Sequence, residues 1–284
     1  MLTILACTDG STYAPSIYQH AAWAATRLAA GVEVLHVLDS HRERAPSLDL
    51  SGSLGFDAST QLTEELAKLE AAKGRVALLK GKAILDDARH QLLAAGVTSV
   101  TLTQRHGELV ETLEEIERRC DLVVIGKRGE HADFAKGHLG GSLQRVIRTS
   151  IRPVLVAVRT FTPIRNFLIA YDGGSSVSRA LDFVKASPLL QGATCHILRA
   201  GQVDDQAKWY LEEAAAKLRA SGYTVKAHAI PGEPDDVIAE AVRREGIQLL
   251  VMGAYGHSPV RALILGSTTT TMVRTSQISI LMFR

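Results

Sequence analysis

The densest run of ligand-capable residues lies near the end of the chain, where two residues separate Gly253 from Gly256 and nine more separate Gly256 from a Gly266-Ser267 pair. Glycine lacks a Cβ, so backbone amides at such positions can approach an anion closely, and the serine hydroxyl adds a donor. A strand ending at the first glycine and a helix opening at the Gly-Ser pair would offer a phosphate free N–H groups and the positive end of a helix dipole. A glycine pair alone is weak evidence, because strand-ending glycines are usually turn residues; the combined spacing is the specific part. The second chemical feature is a pair of acids followed by small residues, Asp9-Gly10-Ser11 and Asp172-Gly173-Gly174. Such an acid either contacts a ligand or caps the next helix by accepting backbone N–H bonds.

These features belong to a repeat. Leu122-Val123-Val124-Ile125-Gly126-Lys127-Arg128-Gly129 answers Leu249-Leu250-Val251-Met252-Gly253-Ala254-Tyr255-Gly256, and Arg148-Thr149-Ser150 answers Arg274-Thr275-Ser276. With the two acid turns, the matches extend over nearly all 284 residues, so the chain is one unit read twice. In each copy, short runs rich in Val, Ile and Leu alternate with segments of helical period such as 209–220 and 235–244. Near-continuous apolar strands between helices predict a parallel sheet covered on both faces. Strands are expected near 2–8, 32–38, 97–103, 121–126 and 153–158, and again near 165–171, 193–199, 224–230, 248–253 and 278–283. Ligands of such sheets bind beyond the carboxyl ends of the strands, where the acids and glycines fall. The expected units are 1–159 and 160–284, and the short connection 159–163 predicts that they pack as a pseudo-two-fold pair. Their lengths are expected to differ mainly through 39–57, a lid or a disordered surface excursion.

The copies are unequal. Aligned without a gap from the shared Arg-Thr-Ser, Gly140 stands opposite Gly266 and Gly141 opposite Ser267, which leaves Ser142 one place late. The stretch from Glu130 to Leu139 is also one residue longer than its counterpart. Lys127, Arg128, His131, Lys136 and His138 add cationic groups there, which serve either another anion or a solvated loop.

The motifs are similar to those of the universal stress protein family, and the resemblance covers essentially the whole chain in tandem two-domain form. The G-x2-G-x9-G-[ST] pattern of its ATP-binding members is met at Gly253, Gly256, Gly266 and Ser267, and its opening Asp-Gly-Ser at Asp9, Gly10 and Ser11. The resemblance implies an α/β fold of two Rossmann-like (HUP-type) domains, each a five-stranded parallel sheet of order 3-2-1-4-5 with helices on both faces. It also implies ATP or AMP in the groove, with Mg2+ able to accompany ATP, and a regulatory role in stress. The strand-1 acid would contact the nucleoside and the glycine loop the phosphates. On that basis the expected site of the second copy is Asp172, Gly173, Leu198, Gly253, Gly256, Gly266, Ser267 and Thr268. The weaker candidate in the first copy is Asp9, Val37, Gly126, Gly129, Gly140, Gly141 and Ser142.

The remaining sequence narrows the field. The 32 basic and 30 acidic side chains, net +2, form no long block of either sign, so no nucleic-acid partner is expected. Cys7, Cys120 and Cys195 lie in or beside apolar runs, an odd number without a close pair, which argues against a disulfide framework and fits a reducing cytoplasm. No apolar run approaches the ~20 residues that cross a bilayer, and Met1–Cys7 reads as a buried strand rather than a lipoprotein signal. His36 and His196 are expected at matching places in strand 2, where lone histidines are more often packed than ligating; without a C-x2-C or H-x3-H pair, no metal site is expected. Trp209 and Tyr210 are expected in core or interface packing. The hydroxyls of Thr268–Thr271 either assist Ser267 or bond back to their helix.

No Walker A, HExxH, G-x-S-x-G or kinase signature is present, so no catalytic residue is assigned. The leading expectation is a non-enzymatic, nucleotide-responsive regulator acting through packing between the copies, a homodimer or an unknown protein partner. One alternative is an ATP-using adenylyl-transfer enzyme or weak ATPase: Asp172-Gly173-Gly174-Ser175-Ser176 faintly resembles a Ser-Gly-Gly-x-Asp-Ser loop, without its leading serine and its aspartate. The other is a nucleotide-independent scaffold.

Overall fold

Ile4 to Cys7 form an unbroken buried run, with Ile4 and Ala6 packed on one face of a sheet and Leu5 and Cys7 on the other. A strand buried on both sides needs helices on both sides, and that demand, repeated along the inner strands of the sheet, shapes the molecule. The computed structural model describes residues 1–38, 56–129, 141–254 and 265–284, of which 56–61 are described by backbone alone. The first unit contains β1 (Thr3–Cys7), α1 (Ala14–Leu28), β2 (Gly31–Leu38), α2 (Phe56–Ala94), β3 (Val100–His106), α3 (Leu109–Ile116), β4 (Leu122–Gly126), α4 (Gly141–Thr149) and β5 (Val154–Ala157). The second contains β6 (Asn166–Ala170), α5 (Ser175–Ala186), β7 (Thr194–Gly201), α6 (Asp205–Ala220), β8 (Val225–Pro231), α7 (Pro234–Arg244), β9 (Leu249–Gly253), α8 (Ser267–Thr275) and β10 (Ser279–Phe283).

Both units have the order 3-2-1-4-5, and they share one ten-stranded sheet, β3-β2-β1-β4-β5-β10-β9-β6-β7-β8. Pairing is parallel within each unit; β5 and β10 join the units antiparallel, with Leu155 opposite Leu281. The α1, α2, α5 and α6 helices cover one face, and α3, α4, α7 and α8 the other. Side chains reinforce the seam. His20 of α1 bonds Ser279 of β10 (Nε2 to Oγ, 2.7 Å) and Ser16 donates to the Val158 carbonyl at 2.6 Å. Arg284 donates to the Thr149 carbonyl at 2.9 Å.

Two expectations about elements are corrected. β3 starts at Val100 rather than near 97, because Gly96 turns the chain at φ +89° and the Val97 amide still closes on the Leu92 carbonyl. The difference in length between the units lies mainly in a helix: α2 has 39 residues where α6 has 16. Residues 39–55 of the expected excursion lie outside the described residues, while Phe56 and Asp57 open α2. Gly81, Leu85, Ala88 and Leu92 recur at helical spacing and are buried, so this half of α2 packs on the sheet. N-terminal to them Leu69, Val76, Leu78 and Leu79 are exposed. At 1.5 Å per residue the helix runs about 58 Å, well past the domain it covers. Trp209 and Tyr210 likewise stand in solvent, 61% and 45% exposed, and pack edge-to-face on each other rather than in the core. Among the described residues no helix is long and apolar enough to cross a membrane.

Candidate functional site

The acids sit where the first strand of each unit gives way to a turn. Asp9 accepts from the Ser11 amide at 3.0 Å and Asp172 from the Gly174 amide at 2.8 Å. Neither is the helix cap: the cap residues are Tyr13 and Gly174. The carboxylates instead close tight turns over Gly10 (φ +73°) and Gly173 (φ +81°), a backbone conformation that a Cβ disfavours. Each turn is braced by a side chain from the neighbouring strand, His36 Nδ1 on the Thr8 carbonyl (2.9 Å) and Arg199 Nη1 on the Asp172 carbonyl. Among the described residues the Arg199 Nε is buried without a hydrogen-bond partner.

In the second unit Ile169 pairs with Val251, so Asp172 and Ala254 leave adjacent strands at the same level. α8 opens beside them. Its cap residue is Gly266, whose amide donates to the Ala254 carbonyl at 3.2 Å, and Thr269 Oγ1 donates to the Gly253 carbonyl at 3.0 Å. These bonds draw Gly253, Gly266, Ser267 and Thr268 together at the end of β9, and an α-helix leaves its first-turn amides without intrahelical partners. Gly256 lies outside the described residues. Within the Thr268–Thr271 run, Thr269 thus bonds the strand rather than its own helix; Thr275, beyond that run, bonds back to the Thr271 carbonyl at 2.8 Å.

In the first unit Gly129 lies against Asp9: a Cβ there would meet the carboxylate at 2.7 Å. Gly126 is crowded by Tyr13 and Ile17, α4 begins at Gly141 and includes Ser142, and Gly140, His131, Lys136 and His138 lie outside the described residues. Lys127 is neither solvated nor free for an anion. It is buried, donates Nζ to the Ser276 carbonyl at the end of α8, and its pKa falls to about 8 through burial and, second, the charge of Arg128.

The universal stress protein family model matches the chain twice, over residues 1–159 and 163–284. The universal stress protein Slr1230 of a Synechocystis species is 38% identical over 287 residues, with all of both chains covered. The chain belongs to the universal stress protein family. In fold it is similar to a universal stress protein of Archaeoglobus fulgidus (TM-score 0.67, 18% identity, 99% of this chain and 96% of that one). It is also similar to the functionally unknown PA1789 of Pseudomonas aeruginosa (TM-score 0.63, 17% identity, covering 99% and 92%).

Strand register in this tandem universal stress protein revises two matches between its units. Leu5 pairs with Glu33 and its counterpart Leu168 with His196, so His196 corresponds to Glu33 and His36 to Arg199. By the same count the counterpart of Val37 is Ala200; Leu198, two places earlier, is buried in the core face. The three thiols are free and buried, and burial raises the pKa of each, Cys120 to about 12.

Sequence reading missed one cluster. His196 Nδ1 lies 3.3 Å from His228 Nε2 and 3.7 Å from a carboxylate oxygen of Glu245, which caps α7. Burial lowers the pKa of both imidazoles, and the bond from Arg244 Nε (2.9 Å) lowers that of Glu245. Only strand pairing and the descent of α7 bring these three together, so no local spacing signals them.

Proposed function

We propose that this universal stress protein is a regulator that binds ATP or AMP in its second unit, residues 160–284, and acts through binding rather than turnover. Asp172 and Gly173 would face the nucleoside, with Ala200 rather than Leu198 at the strand-2 position; Gly253, Gly256, Gly266, Ser267 and Thr268 would hold the phosphates. The observation that carries this reading is α8 opening at Gly266-Ser267 against the end of β9, beside the Asp172 turn. Its first-turn amides and dipole favour an anion. The buried Arg199 Nε beside that turn, without a hydrogen-bond partner among the described residues, is a donor that a bound nucleotide would satisfy. Mg2+ would enter only with ATP, on its phosphate oxygens.

The first unit is the diverged one: Gly141 supplies no hydroxyl, and Lys127 is committed to the seam. That commitment gives the nucleotide a route to the rest of the molecule. α8 has nine residues, with the phosphate loop at its N-terminus and the Lys127 contact just beyond its C-terminus. A shift of the helix on binding therefore bears on the contact between units. Mass spectrometry of the protein as purified from cells, with thermal unfolding at millimolar ATP or AMP, tests the reading. It predicts an adenine nucleotide in the spectrum or a nucleotide-dependent rise in Tm; neither co-purified nucleotide nor any rise would contradict it.

A further inference from the structure

We propose that His196, His228 and Glu245 form a binding site for a divalent transition-metal ion of the zinc type, separate from the nucleotide groove. The ligand atoms, one from each residue, all lie within 4.8 Å of one another. A tetrahedral zinc ion with Zn–N bonds of about 2.0–2.1 Å holds two ligand nitrogens about 3.3 Å apart. The two imidazole nitrogens stand 3.3 Å apart with ring centroids 5.4 Å apart and planes 7° from parallel, so they face each other and a modest turn of one ring brings both lone pairs onto an ion. Glu245 supplies the third edge. Arg244 occupies one of its oxygens, while the other already lies 3.7 Å from His196, and the side chain is 19% exposed. Two imidazoles and a carboxylate are a borderline donor set that favours zinc and its neighbours over magnesium or calcium. Three protein ligands leave a fourth position for water or a partner's side chain.

The duplication supplies an internal contrast. Leu35 pairs with Thr103 and its counterpart Leu198 with His228, so Glu33 and Thr103 hold the places of His196 and His228. There Glu33 accepts from Thr103 at 2.7 Å and from Arg119 at 2.7 Å, a polar cluster satisfied by its own ion pair. In the second unit the same place holds two potential ligands and an acid, with Lys226 and Arg244 as the nearby cations. The site lies on the sheet face under α7. His196 pairs with Leu168, four residues before Asp172, or about 13 Å along the strand. Metal and nucleotide sites are therefore distinct.

The ordinary alternative is an imidazole–imidazole hydrogen bond, and metal titration separates the two. The full chain, stripped with a chelator and desalted, is titrated with Zn2+ in competition with a chromophoric chelator, and with Co2+ for its visible d–d bands. The expected result is one tight equivalent of zinc and an intense tetrahedral-type cobalt spectrum. His228→Gln and Glu245→Gln, both partly exposed positions, should weaken zinc at least about tenfold while leaving the circular dichroism spectrum unchanged. Absence of a tight equivalent in the wild type, or equal affinity in both folded variants, would overturn the proposal.

Discussion

At the scale of single residues, the site depends on turns that only glycine makes easily. Gly173 holds φ +81° while the Asp172 carboxylate closes the turn above it. Gly173→Ala should therefore lower stability by about 1–2 kcal/mol, measured by urea unfolding, through left-handed strain alone. A change within error would show that the turn relaxes. The turn itself was legible in the sequence, since an acid followed by small residues marks it; that the carboxylate closes this turn instead of capping the helix was not. His196, His228 and Glu245 were not legible: they lie on separate elements and meet only through register. Register also undid the matching of His36 with His196, since strand positions are counted from the partner strand and not from the nearest similar residue.

At the scale of elements, the inner strands were legible because burial on both faces demands a near-continuous apolar run, whereas the edge strands β3 and β8 are only partly buried. β3 slid by three residues because Val97 is apolar for a different reason: it is buried at the helix end. The N-terminal part of α2 carries no periodic buried face among the described residues, where Leu69, Val76, Leu78 and Leu79 are exposed, and so gave no helical signal. The two halves of α2 should respond differently to truncation. Leu92→Ala, at a fully buried site, should cost about 2–5 kcal/mol. Val76→Ala, 65% exposed, should stay within about 0.5 kcal/mol. Chemical denaturation of both variants checks this, and equal losses would mean that the projecting half is packed in solution.

At the scale of the whole molecule, the two units are fused by a sheet that passes through the seam and by His20 wedged between α1 and β10. Burial pushes the His20 pKa down from 6.5 to about 4, so the folded chain refuses a proton that the unfolded chain accepts. Stability should therefore fall as pH drops from about 6.5 to about 4, by at most about 3 kcal/mol from this group, and then level off. His20→Gln should flatten that part of the profile relative to wild type; a parallel profile would remove His20 from the account. The fold was readable from the duplication, whereas the diversion of Lys127 into the seam was not, because a lysine beside a glycine loop looks like an anion ligand until its partner is known.

The central claim is one adenine-nucleotide site per chain, built by the second unit. Isothermal titration of the full chain with ATP tests it most directly, alongside Gly266→Val and, in the first unit, Gly141→Val at the place that answers Ser267. One equivalent of ATP, abolished by the Gly266 substitution and kept by the Gly141 substitution, is the predicted result. Two equivalents, none, or loss through Gly141 alone would contradict it.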